Sequence, residues 1–121
     1  MMQVTTEFHF SAGHRLPRHA GACRTPHGHN YRLLVSVEGP VDPETGMVID
    51  FHHLKRIVEE KVVARLDHVD LNELLENPTA ENIATWIWRE LWPGLPRLSE
   101  ICLYELHDCC VRYRGEEDGP G

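Results

Sequence analysis

Apolar and polar residues alternate from Val4 to Phe10, with Phe8 and Phe10 on one side and His9 on the other. Tyr31 to Glu38 is rich in β-branched and apolar residues, and both stretches read as strands. Between them, Ser11 to Thr25 collects Gly, Pro, Arg and His and is expected to be an irregular loop. Gly39-Pro40 and Asp42-Pro43-Glu44-Thr45-Gly46 signal turns, after which Met47-Val48-Ile49 is a short apolar run ending at Asp50. From about His52 the period lengthens to that of a helix: Leu54, Ile57, Val58, Val62 and Leu66 form an apolar stripe opposed by Lys55, Arg56, Glu59, Glu60 and Arg65. Asn77-Pro78-Thr79 supplies a break and a hydroxyl cap, and Ile83, Ala84, Ile87, Trp88 and Leu91 then recur at helical spacing until Pro93-Gly94. Trp86 lies off that stripe, as a core residue at a sheet edge or a subunit contact would. Leu98 to Leu106 and Cys109 to Tyr113 are expected to close the chain as two further strands.

The order strand, strand, helix, helix, strand, strand (ββααββ) predicts an α+β class: a four-stranded antiparallel sheet with two helices on one face. The 121 residues suit a single domain spanning 1–121, with Gly115 to Gly121 as a frayed acidic tail. Such a sheet leaves edges and a second face exposed, and a homo-oligomer would cover them. No apolar run approaches the roughly 18 residues of a membrane-spanning helix. The start Met-Met-Gln-Val-Thr-Thr-Glu has no apolar signal core, and the four cysteines, two of them adjacent, lack the spacing of a disulfide framework. A reduced, cytoplasmic setting is therefore expected.

The formal net charge of −7 argues against general nucleic-acid binding, which needs a basic face. The charge is unevenly placed. Residues 1–32 hold Arg15, Arg18, Arg24 and Arg32 against Glu7 alone, a net +3, leaving −10 for the rest. That cationic part would attract an anionic, phosphorylated substrate, because guanidinium groups bind phosphate oxygens bidentately.

The same segment carries the candidate chemistry. Cys23-Arg24-Thr25-Pro26-His27-Gly28-His29 places two histidines on one face of an extended chain, with a thiol close upstream. A return of the chain would bring His14 onto the same ion. Three imidazoles suit Zn²⁺ and leave its fourth tetrahedral position open for water or substrate, the mark of a catalytic site. Cys23 as fourth ligand would instead close the site and make it structural. His9, His19, His52 and His53 read as surface or loop residues. Beside a cation and among arginines, Cys23 is a candidate base or nucleophile. Cys102 reads as a small core residue, while Cys109 and Cys110 point to opposite faces of a strand. Asp67-His68 places a carboxylate next to an imidazole, which serves either acid/base chemistry or loop ordering at the end of the first helix. Glu105 continues the apolar row of Ile101 and Leu103. It is either a strand-end carboxylate turned to solvent or one that a ligand with adjacent N–H groups satisfies.

Together, His14, Cys23-x-x-x-His27-Gly28-His29-Asn30-Tyr31, Asp50-Phe51, Leu66-Asp67-His68, Pro78-Thr79-Ala80-Glu81-Asn82 and Tyr104-Glu105 resemble, in order, the 6-pyruvoyl-tetrahydropterin synthase family over nearly the whole chain. The three-residue gap between Cys23 and His27 is similar to its bacterial branch, 6-carboxy-5,6,7,8-tetrahydropterin synthase of queuosine biosynthesis. The resemblance implies a tunnelling fold in which three subunits join their sheets into a barrel and two trimers stack, with active sites between subunits. It implies zinc on His14, His27 and His29, Cys23 as the proton-abstracting thiolate and His68, oriented by Asp67, as the second acid/base group. Glu105 would hold the pterin ring, and Thr79 would touch substrate. The implied substrate is 7,8-dihydroneopterin triphosphate, converted to carboxytetrahydropterin, acetaldehyde and triphosphate, or in the other branch to a pyruvoyl product. On charge alone, Arg15, Arg18 and Arg24 are the triphosphate candidates. Two places depart from the family pattern: Leu106 stands where threonine usually follows the pterin-binding glutamate, and His107-Asp108-Cys109-Cys110 has no counterpart. A zinc hydrolase using His68 as base, or a non-catalytic zinc protein closed by Cys23, are the readings outside the family.

Overall fold

The computed structural model describes residues 1–115; most of the expected acidic tail, residues 116–121, lies outside them. Four strands, β1 (Met2–His14), β2 (His27–Gly39), β3 (Leu98–Leu106) and β4 (Cys109–Tyr113), pair antiparallel in the order β1-β2-β3-β4. The two C-terminal strands match the sequence expectation to the residue. The first two are longer than the hydrophobic pattern indicates: β1 runs on through Gly13-His14, and β2 starts at His27, so the intervening loop shrinks to residues 15–26.

The first helical run is α1 (Phe51–Val58), a π-helical turn (Glu59–Val63) and α2 (Ala64–Leu66). Its buried residues Leu54, Val58, Val62 and Leu66 are spaced four apart, and at 3.6 residues per turn such a stripe drifts around an ideal helix. The wider π turn absorbs that drift and keeps all four against the sheet. Asp50 caps the run by accepting the His52 N–H at 2.9 Å. The second helix, α3 (Ala80–Leu91), buries Ile83, Ala84, Ile87 and Leu91. Trp86 is half-buried beneath the Arg65 guanidinium, 4.8 Å from its ring centroid, and Arg65 is in turn ion-paired with Glu90.

Both helices cover one face of the sheet, built from Phe8, Phe10, Tyr31, Leu33, Val35, Ile101 and Leu103. The opposite face is polar and carries Glu7, His9, Arg32 and Tyr104. Cys102 is buried as expected, though on that second face, and burial followed by the neighbouring Cys110 thiol pushes its pKa up to about 11. Cys109 and Cys110 are both exposed.

Two local features position chemistry. On β3, Tyr104 pairs with Cys110 and Leu106 with Cys109, so Glu105 is the extra residue of a β-bulge with no partner on β4. At the far end of β4, Gly115 has φ +76° and packs so closely on Trp88 that a Cβ would lie 2.3 Å from the indole. No helix among the described residues is long and apolar enough to cross a membrane.

Candidate metal centre and active-site clefts

The hairpin register builds the site. His14 pairs with His27 and Ala12 with His29, so the three histidines share the core face of the sheet at its open end, beyond Phe10 and Tyr31. His14 is 2% exposed, and its Nδ1 lies 2.8 Å from the carbonyl oxygen of Pro78 at the entry to α3. His27 Nδ1 lies 2.9 Å from the Thr25 carbonyl. A carbonyl only accepts, so both Nδ1 atoms carry the proton and both Nε2 atoms of the neutral rings are bare. Those two Nε2 atoms stand 3.0 Å apart, and His29 Nε2 is buried without a hydrogen-bond partner. One ring nitrogen from each histidine lies within 4.8 Å of the others.

This donor set fits zinc. Bare lone pairs facing one another repel unless a cation lies between them, and tetrahedral Zn–N bonds of about 2.0–2.1 Å place neighbouring nitrogens about 3.3 Å apart. The Nδ1–H bonds to backbone carbonyls are the outer-shell contacts that fix a ligating histidine's tautomer. Burial pushes His29 below the usual imidazole value, opposed by Glu105 and reinforced by His14 and His27; a neutral ring is the form a metal binds. Burial and the Glu105 carboxylate hold the Tyr31 phenol protonated, with its hydroxyl 3.4 Å from His14 Nδ1.

Glu105 does not turn to solvent. Its Oε1 lies 3.7 Å from His14 Nε2 and 4.0 Å from His29 Nε2. With His29, Arg32, Tyr104 and His107 it lines a cleft of about 430 Å³. The Arg32 guanidinium sits 3.9 Å over the Tyr104 ring and 3.3 Å from Glu7, a stacked cation at the cleft wall that sequence reading counted only as charge.

A second cleft, about 420 Å³, is shared by His29 and His68. Asp67 accepts the Ser11 N–H at 2.9 Å and lies 3.1 Å from His68 Nδ1, while the His68 N–H donates to the Ser11 carbonyl at 2.5 Å. These contacts hold His68 at φ +60°, a left-handed conformation that costs a non-glycine residue free energy. The Ser11 amide, then the His68 imidazole, hold the Asp67 carboxyl below its ordinary value. A depressed carboxyl stabilises the fold above its unfolded-state pKa and loses that contribution as pH falls through the folded value. Asp67→Asn is therefore expected to be less stable than wild type in urea at neutral pH, with the gap closing below about pH 4. A gap independent of pH would show that the charge is not what Ser11 and His68 recognise.

The other expected residues are more dispersed. Arg15 borders a third cleft with His14 and His27, its backbone clamped by Asn72 through bonds of 2.8 and 3.0 Å. Arg18 is ion-paired with Glu76 at 2.6 Å. Cys23 and the exposed Arg24 lie in a single 3₁₀ turn, Ala22–Arg24, of the loop joining the ligand-bearing strands, and Cys23 lines none of these three clefts. Thr79 caps α3, its Oγ1 accepting the Asn82 N–H at 3.2 Å. Thr79→Ala is expected to cost about 1 kcal/mol of stability, with Thr79→Ser restoring it. If KM rises in both variants, substrate contact, not capping, is the main role of Thr79. The Pro78 carbonyl and the Ser11 backbone escape sequence reading because both act through main-chain atoms.

Residues 3–116 match the family model described as 6-pyruvoyl tetrahydropterin synthase. The chain belongs to this family. It is 41% identical over 120 residues to the 6-carboxy-5,6,7,8-tetrahydropterin synthase of Synechocystis, covering 93% of each chain. It is 37% identical over 135 residues to the human 6-pyruvoyl tetrahydrobiopterin synthase, covering 94% of this chain and 92% of that one. The 6-pyruvoyl tetrahydropterin synthase structure from Caenorhabditis elegans superposes with a TM-score of 0.85 at 30% identity, covering 96% of this chain and 98% of that one. The sheet and its two covering helices are thus the family's tunnelling fold.

Proposed function

We propose that this pterin-synthase family member is a zinc-dependent lyase. It converts 7,8-dihydroneopterin triphosphate and one water molecule to 6-carboxy-5,6,7,8-tetrahydropterin, acetaldehyde and triphosphate, a step of queuosine and other 7-deazaguanine biosynthesis. The observation that carries the reading is the convergence of three imidazole nitrogens, two with fixed tautomers and one buried and unpartnered, beside a carboxylate. The carboxy-forming branch is supported by the three-residue gap between Cys23 and His27 and by the similarity to the Synechocystis protein.

His14, His27 and His29 hold the zinc, which supplies Lewis acidity to the hydroxyls of the substrate side chain. Glu105 accepts in parallel from the ring N–H and the exocyclic amine of the pterin, orienting it in the cleft. Cys23, as thiolate, takes the proton from the side-chain carbon, and His68, held by Asp67, returns or removes a proton at the neighbouring oxygen. Arg15 and Arg24 draw the triphosphate toward this cationic end, and Thr79 contacts the substrate from the start of α3. In this reading three copies join their β1 and β4 edges into a barrel and two such trimers stack. Each of those strands has one partner within the described sheet, which supports the joining. A thiolate base suits a reducing, cytoplasmic setting.

The test is anaerobic incubation of zinc-loaded protein with 7,8-dihydroneopterin triphosphate, followed by mass spectrometry of the pterin and an acetaldehyde assay. Carboxytetrahydropterin with acetaldehyde supports the proposal. A pyruvoyl product gives the second reading, which the similarity to the human protein favours. Unchanged pterin defeats both.

A further inference from the structure

We propose that Glu105 is the fourth ligand of the triad's metal ion in the substrate-free protein, and that a pterin-type ring, by claiming the same carboxylate, uncovers the metal. The inference rests on the function proposed above and gives Glu105 two duties in alternation.

Oε1 of Glu105 stands 3.7 Å from His14 Nε2 and 4.0 Å from His29 Nε2, close to the roughly 3.3 Å between neighbouring ligands of a tetrahedral zinc ion. The His14 ring offers no proton there, since its proton is on Nδ1, committed to Pro78; His29 Nε2 is buried without a hydrogen-bond partner. A carboxylate oxygen beside bare imidazole lone pairs is repelled, unless a cation sits among them and turns every one of those contacts into attraction. Glu105 can close the remaining few tenths of an ångström because it is the extra residue of the β3 bulge, with no cross-strand partner to fix it. The four-ligand alternative visible in the sequence was closure by Cys23. Cys23 lines none of the clefts at the triad, whereas the Glu105 carboxylate stands within 4.0 Å of two of its ring nitrogens.

An oxygen ligand is a weaker hold on zinc than a thiolate, so the cap can exchange. A flat ring that presents an N–H and an amine side by side offers the carboxylate two parallel, charge-assisted bonds. Binding that ring and freeing the fourth position then become one event. An anion or polyol without the paired donors leaves the metal capped, so the carboxylate selects ring chemistry before any side-chain chemistry begins.

The test uses cobalt(II) in place of zinc, whose visible absorption reports its ligands, together with zinc affinity by chelator competition. The proteins are wild type, Glu105→Ala, Glu105→Gln and His29→Ala, and the probe is 6-methylpterin, which lacks side-chain hydroxyls. Without probe, Glu105→Ala and Glu105→Gln are expected to show an altered cobalt spectrum and at least about tenfold weaker zinc binding. The pterin is expected to move the wild-type spectrum in the same sense and to leave Glu105→Ala unmoved. Identical spectra and affinities in wild type and both Glu105 variants overturn this inference and leave the metal site standing. A wild type that binds no metal, or binds it unchanged in His29→Ala, overturns the proposed function as well. Titrating the wild type decides the matter even if the variants fail to fold, because a spectrum unmoved at saturating pterin overturns the cap.

Discussion

His29→Ala is expected to keep the fold and lose the metal, with zinc affinity falling at least about 100-fold, since even outer-shell losses around a metal cost 10–100-fold. His29 is the informative member of the triad. Its Nε2 makes no hydrogen bond, so its removal strands no polar partner. Removing His14 would also strand the Pro78 carbonyl, which accepts from its ring, and would open a hole in a site that is 2% exposed. Zinc content after dialysis against a chelator, read beside far-UV circular dichroism, checks the expectation. Stoichiometric zinc in a folded His29→Ala protein would dismiss the triad as the metal site.

Cys23→Ala separates base from ligand. The fold uses Cys23 through its carbonyl, which accepts the Leu16 N–H at 2.7 Å, and alanine keeps that bond. Zinc content and thermal stability are therefore expected to stay at wild-type levels while kcat falls by about 10²–10⁴-fold, the usual contribution of a positioned acid or base. Unchanged turnover would remove Cys23 from the chemistry. A drop in zinc affinity alongside kcat would make it a ligand, the closed-site alternative that its spacing from His27 leaves open.

Much of this was legible in the sequence because local rules and tertiary packing agree. The bounds of β3 and β4, the stripe from Leu54 to Leu66, the Thr79 cap and the grouping of His14, His27 and His29 all follow from period, capping chemistry and spacing. What was not legible depends on atoms whose partners are remote in the chain. Gly13-His14 looks like loop by composition, yet with His27-Gly28 it forms the last rungs of a ladder fixed by thirteen paired positions. The direction of Glu105 comes from one unpaired residue opposite β4, and the tautomer of His14 from a carbonyl 64 residues away. The neighbouring thiols of Cys102 and Cys110 meet across the β3–β4 ladder, a pairing that neither strand's own pattern reveals.

The three histidines sit on two neighbouring strands joined by residues 15–26, so a metal held by them would act as a proofreader of pairing. Side chains alternate faces along a strand, so sliding β1 by one residue against β2 would carry His14 to the opposite face from His27 and His29. A misaligned hairpin has two imidazoles where the native one has three. Zinc held by these three rings, as proposed, would favour the native alignment by mass action, through side chains between residues 14 and 29. With the metal so held, the hairpin would be checked by ligands that none of the covering helices supplies.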